Sequence, residues 1–160
     1  MLASIVAGAA VLWAAALPAA AYLATLSGGP AQLLALAVYG LGSVICHQRP
    51  ERSFHTADVK WPVCGRCSGL YLGAPVGALT AWSLMRGRRR RARLIDQRLV
   101  VLAIAAVPTI ITIGVEWFRL LPVNTLARFL AALPLGAAIA FVILSVVPGP
   151  SRPIEYTGRA

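Results

Sequence analysis

All three cysteines and both histidines of the 160-residue chain fall between residues 46 and 67. That segment opens Cys46-His47-Gln48-Arg49 and closes Pro62-Val63-Cys64-Gly65-Arg66-Cys67-Ser68-Gly69. Thiolates and imidazoles are the ligands of tetrahedral zinc, with Zn–S bonds of about 2.3 Å. A Cys-x-x-Cys turn presents two thiolates to one ion, and its backbone amides can point at the sulfurs. Cys46 with His47, or alternatively His55, completes a Cys3His set around zinc. Spacing alone leaves other chemistries open. Cys64 and Cys67 could cycle as a membrane thiol-disulfide oxidoreductase with Cys46 as exchange partner. A plain disulfide on an oxidising face would leave one thiol over, and inert packing would use none.

A second polar set lies far along the chain, in Glu116, Arg119, Asn124 and Arg128. Ionisable groups within a membrane-spanning stretch cost about 2.5 to 3.5 kcal/mol each on insertion scales, and they are usually paired or functional. Glu116 and Arg128 are expected at equal depth, about 6 Å inside one boundary at 1.5 Å rise per residue, so an ion pair is feasible. Arg119 is expected on the helix face of Glu116, snorkelling towards the headgroups. Asn124 is expected to act as a helix N-cap after Pro122.

The elements that must position these residues follow from composition. Hydrophobic residues make up 59% of the chain and charged residues 12%, and no charge occurs before Arg49. A water-soluble domain of this size could not bury so much hydrocarbon. A soluble enzyme, a disordered tail and a secreted disulfide mini-protein are excluded. The pattern predicts an all-α, polytopic helical membrane protein with about five spans, near 2–26, 31–46, 68–85, 99–121 and 124–147. Residues 1–147 then form a single transmembrane domain, and 148–160 a flexible cytoplasmic tail. The first stretch has small-residue sites such as Ala19-Ala20-Ala21 but lacks a charged n-region and is too long for an h-region, so it reads as a retained span. Gly69, Gly73 and Gly77 form a smooth stripe for helix packing. Pro18, Pro75, Pro108 and Pro134 read as kinks whose freed carbonyls neighbouring helices satisfy.

The net charge of +10 would suggest nucleic acid, but seven of the fifteen basic residues crowd into 86–98. Sorted by position, they are an orientation signal, and no nucleic-acid partner is expected. The positive-inside rule places that loop in the cytoplasm, against four Lys and Arg in the loop 46–67. The Cys/His loop and the turn at 121–123 then share the extracytoplasmic face. One outer site could unite a metal, Glu116 as candidate general base or acid, and guanidinium groups from Arg49, Arg52, Arg66, Arg119 and Arg128. Hydroxyls of Ser53, Ser68 and Tyr71 would stand among them. Arginine forks match phosphate and carboxylate oxygens, so membrane lipids with anionic headgroups are the expected partners. A zinc-dependent membrane hydrolase or transferase would need three protein ligands and an activated water.

The runs Cys46-His47-Gln48, Arg52-Ser53-Phe54, Pro62-Val63-Cys64 and Arg66-Cys67-Ser68-Gly69-Leu70-Tyr71 resemble the small bacterial and archaeal membrane proteins grouped as the domain of unknown function numbered 2085. The family's later pattern of an acidic residue, an Asn and an Arg four apart, and a glycine looks matched by Glu116, Asn124, Arg128 and Gly136. The resemblance covers roughly 38–136 and implies an integral protein of a prokaryotic cell membrane with a Cys/His site. It implies no reaction. Two departures stand out. Many members are expected to carry Asp where this chain has Glu116, and His55 lies outside the signature, which favours His47 as the fourth ligand. Two bonds from adjacent Cys46 and His47 to one ion are sterically awkward.

Overall fold

The computed structural model describes residues 2–26, 28–84 and 97–146. Among them are five α-helices and one β-hairpin: α1 (Leu2–Leu23), α2 (Pro30–Ile45), β1 (Ser53–Thr56), β2 (Val59–Cys64), α3 (Gly65–Leu84), α4 (Arg98–Trp117) and α5 (Thr125–Val146). Most of the basic stretch 86–98 and the whole tail 148–160 lie outside the described residues. Ala3–Leu23, Arg98–Trp117 and Thr125–Val146 are long and apolar enough to cross a membrane, and Pro30–Ile45 is a shorter apolar helix. All four prolines expected inside helices sit in continuous helix.

The helices pack in the neighbour order α2, α1, α3, α5, α4. The tightest seam joins α3 to α5. A Cβ on Gly69, Gly73 or Gly77 would overlap the backbone of Phe129, Leu133 or Ala137, and one on Gly136 would overlap the backbone of Leu70. The stripe read from sequence is thus a backbone-to-backbone contact, answered from the other side by a fourth glycine. Outward-facing Leu12, Leu36, Val44, Ile104 and Ile110 are exposed, an arrangement that suits lipid and not water. At the far side of the bundle Thr109 Oγ1 donates to the Ala131 carbonyl at 2.8 Å and ties α4 to α5.

Two features depart from the sequence expectations. The segment 53–64, expected as loop, is an antiparallel hairpin with Ser53 opposite Cys64, His55 opposite Lys60 and Thr56 opposite Val59. Its turn residues Ala57 and Asp58 both have positive φ, 47° and 63°. That is the requirement of a two-residue primed turn, usually met by Asn-Gly or Asp-Gly. An isolated hairpin is marginal in water, and this one is anchored by tilted and edge-to-face aromatic contacts. Phe54 lies 5.3 Å from Trp61 and 5.5 Å from Phe129 by ring centroids, while Trp61 Nε1 donates to Thr56 Oγ1 at 2.9 Å. The second departure is at α4, which ends at Trp117 and not at 121. Arg119 therefore stands beyond the helix, with φ of 53°, and does not share the helix face of Glu116.

The seam yields a direct test. Gly73→Ala is expected to lower stability in detergent by about 1–3 kcal/mol through overpacking. Gly8→Ala, where nothing lies within 4 Å of the added carbon, is expected to be neutral or to gain up to about 1 kcal/mol of helix propensity. Equal unfolding midpoints for the two variants would show that the close approach is dispensable.

Candidate functional site

Three elements deliver one thiol each. Cys46 follows the last residue of α2 in extended conformation, with φ of −146° and ψ of 140°. Cys64 is the last residue of β2, and Cys67 lies in the first turn of α3. Their sulfurs all lie within 4.8 Å of one another, and all three thiols are free. A tetrahedral ion with Zn–S bonds of about 2.3 Å holds its sulfurs about 3.8 Å apart, so no pair in this cluster needs to close by more than about an ångström. The donor set fits a thiophilic ion. The Cys64 amide donates to Cys46 Sγ at 3.2 Å, the amide-to-sulfur contact that stabilises a thiolate. The Cys67 thiol, backed by the Cys67 amide, the Cys46 thiol and the Arg66 amide, holds the Cys64 thiol well below its usual range against the opposing effect of burial.

The cluster is roofed by hydrocarbon. Leu17 and Val63 are fully buried beside Cys46, with Trp13, Tyr71 and Leu72 packed on them. Trp13 meets Tyr71 edge to face at 5.9 Å, and the Tyr71 phenol lies within electrostatic reach of all three thiols. Ser68 Oγ is buried with no hydrogen-bond partner among the described residues. The contributions of Trp13 and Leu17 carry no sequence signal, since α1 reads as uniformly apolar.

His47 and His55 are both exposed and stand outside the sulfur cluster. Extended backbone sends successive side chains to opposite sides, so the conformation that turns Cys46 inward turns His47 outward. Gln48, beside it, has structural work instead. With φ of 47°, it donates from Nε2 to the Tyr39 carbonyl at 2.8 Å and accepts at its carbonyl from Lys60 Nζ at 2.9 Å. The Tyr39 hydroxyl closes the ring on the Lys60 carbonyl.

The second polar set assembles around Glu116. Its Oε2 accepts from Arg66 Nη2 at 3.1 Å and its Oε1 from Arg128 Nε. Both carboxylate oxygens are thus engaged by guanidinium groups. Arg66 Nη2 also reaches Thr112 Oγ1 at 3.4 Å. Thr112 lies one turn before Glu116 on the same face, a spacing from which it could have been read. Asn124 Oδ1 accepts from the Ala127 amide at 2.7 Å, the N-cap role expected for it. Ser53 is buried and donates to the Arg49 carbonyl at 2.9 Å, while Arg49 itself is exposed. Arg52, Arg119 and Arg128 meet Glu116 at a cavity of about 280 Å³ that residues 121–123 also line.

Glu116→Gln should leave two guanidinium groups short of a counter-charge. Breaking a buried pair costs about 3–5 kcal/mol, and partial exposure brings the expected loss to roughly 1–3 kcal/mol. A double-mutant cycle with Arg66→Gln is expected to return a coupling of about 0.5–3 kcal/mol, and additive effects would show the pair to be incidental.

A family model described as "Predicted membrane protein (DUF2085)" matches residues 46–142. An uncharacterized protein of Methanothermobacter thermautotrophicus is 34% identical over 96 residues, which cover 60% of this chain and 81% of that protein. An uncharacterized protein of Methanocaldococcus jannaschii is 42% identical over 48 residues, 30% of this chain and 31% of that protein. The chain thus spans about a third of the length of the latter relative. No solved structure matches the chain. With the match running from Cys46 through both polar clusters to the glycine of the α3–α5 seam, the chain belongs to the DUF2085 family of predicted membrane proteins.

Proposed function

We propose that this protein is a polytopic helical membrane protein whose extracytoplasmic cap is organised by a zinc ion bound to Cys46, Cys64 and Cys67. The observation that carries the reading is the convergence of three sulfurs from three separate elements within 4.8 Å. A disulfide joins two sulfurs at a time, whereas a metal ion engages all three at once. Zinc at this place ties the end of α2, the end of β2 and the start of α3 together and supplies the stability that a two-stranded hairpin lacks. Neither His47 nor His55 joins the three sulfurs among the described groups, so those sulfurs would hold the ion and a further ligand would complete its shell. The positive-inside count supports the sidedness, with 86–98 and the tail in the cytoplasm.

Metal analysis of anaerobically purified protein is expected to give one equivalent of zinc and three thiols protected until chelation. Cys64→Ser is expected to lose the metal, whereas His47→Ala and His55→Ala retain it. Loss of zinc in His47→Ala would assign the fourth position to that imidazole. Metal-free protein with two oxidised thiols would overturn the zinc reading in favour of thiol-disulfide exchange. For topology, a cysteine placed at exposed Asp58 is expected to react with an impermeant maleimide in intact cells. Protection until lysis would invert the assignment.

A further inference from the structure

We infer that the cavity between the 3₁₀ turn Pro50–Arg52, the end of α4 and the start of α5 is a binding site for a phosphate group. Three arginines, Arg52, Arg119 and Arg128, line it, with Glu116 as its one carboxylate. Glu116 is already engaged at both oxygens by Arg66 and Arg128, so it offsets charge that does not belong to the cavity mouth. Arg52 and Arg119 have no acidic partner among the described residues. The cavity thus keeps at least two uncompensated guanidinium groups, the planar donors that match phosphate oxygens in a bidentate fork. Its volume of about 280 Å³ is at the small end for ligand sites, about 300–1,000 Å³. It suits a phosphate or a headgroup and is small for a nucleotide.

Arg119 supplies an independent pointer. It holds φ of 53° at the chain reversal after α4, while its amide bonds the Glu116 carbonyl and the next amide bonds that of Val115. This is the left-handed capping position that glycine fills without strain. A side chain there costs stability, and this one lines the cavity. Val123 and Arg128 flank the start of α5, whose positive dipole end also favours an anion. Leu121 and Pro122, both exposed, form an apolar lip on the same rim. Guanidinium groups beside an apolar lip suit the phosphate of a lipid headgroup, and the same groups would take free phosphate. The site uses none of the zinc ligands, so its failure is separate from failure of the metal reading.

The test uses the full chain in zwitterionic detergent. Calorimetric titration with inorganic phosphate is one arm. The other is retention of phosphatidylglycerol against phosphatidylcholine from mixed vesicles, measured by native mass spectrometry. Saturable binding in at least one arm is expected, weakened about tenfold or more in Arg119→Gly with a melting temperature equal to or above that of the parent. Arg52→Gln is expected to weaken it similarly. One retained phosphatidylglycerol that phosphate cannot displace identifies a lipid headgroup, and tight phosphate binding without lipid preference identifies a soluble phosphate. No saturable binding in either arm overturns the site, as does unaltered binding in Arg119→Gly.

Discussion

The close approach of α3 to α5 is the constraint from which the rest of the molecule follows. Glycines at 69, 73 and 77 let one backbone lie on the other, and Gly136 answers from α5. Such contact fixes not only the distance between two helices but also their axial register, because each carbonyl occupies the space left by a missing side chain. Register decides what meets at the ends. The first turn of α3 carries Arg66 and Cys67, and that of α5 carries Arg128, so a shift of one residue along the seam would separate Arg66 and Arg128 from a shared carboxylate. Gly65, with Thr125 immediately against it, extends the same close packing to the residue between Cys64 and Arg66.

The junction from β2 to α3 then serves two sites in four residues. Cys64 and Cys67, three apart, point to the sulfur cluster under α1. Arg66, between them, points across to Glu116 on α4. A helix start turns successive side chains by about 100°, which is enough to send neighbours to opposite sides of α3. The hairpin controls the approach of this junction through Phe54, which packs on both Trp61 and Phe129. Ordering the cap and placing Arg66 are therefore one structural event.

Much of this was legible in the sequence, for physical reasons particular to each residue. Lipid-scale helices announce themselves by uninterrupted apolar length, and the glycine stripe by its four-residue period. Equal depth brought Glu116 and Arg128 together on paper, and Asn124 after Pro122 read as a cap. The hairpin is hidden because its turn is Ala57-Asp58 and not a glycine-containing pair, and because the register shifts between Ser53 and His55 while Pro62 and Val63 are buried in succession. Arg119 was misplaced because apolar Leu120 and Leu121 prolong the hydrophobic run past the true helix end, while no glycine marks the reversal. The outward turn of His47 depends on a single extended residue, Cys46, which no local pattern specifies.

The placement of charge also explains how so few ionisable groups suffice. In a low-dielectric bundle a lone guanidinium or carboxylate is expensive, and Glu116 reduces that cost for two arginines at once by giving each a separate oxygen. Were it paired to one arginine only, the second would have to leave the helix packing for water. Arg52 and Arg119 sit on a 3₁₀ turn and beyond a helix end, where hydration is accessible without unwinding any span. Positive charge is thus graded outward from two guanidinium groups that share one carboxylate within the bundle to groups at its mouth without an acidic partner among the described residues. A gradient of that sign favours the proposed phosphate at the rim over positions further in, where Arg66 and Arg128 each already have a carboxylate oxygen.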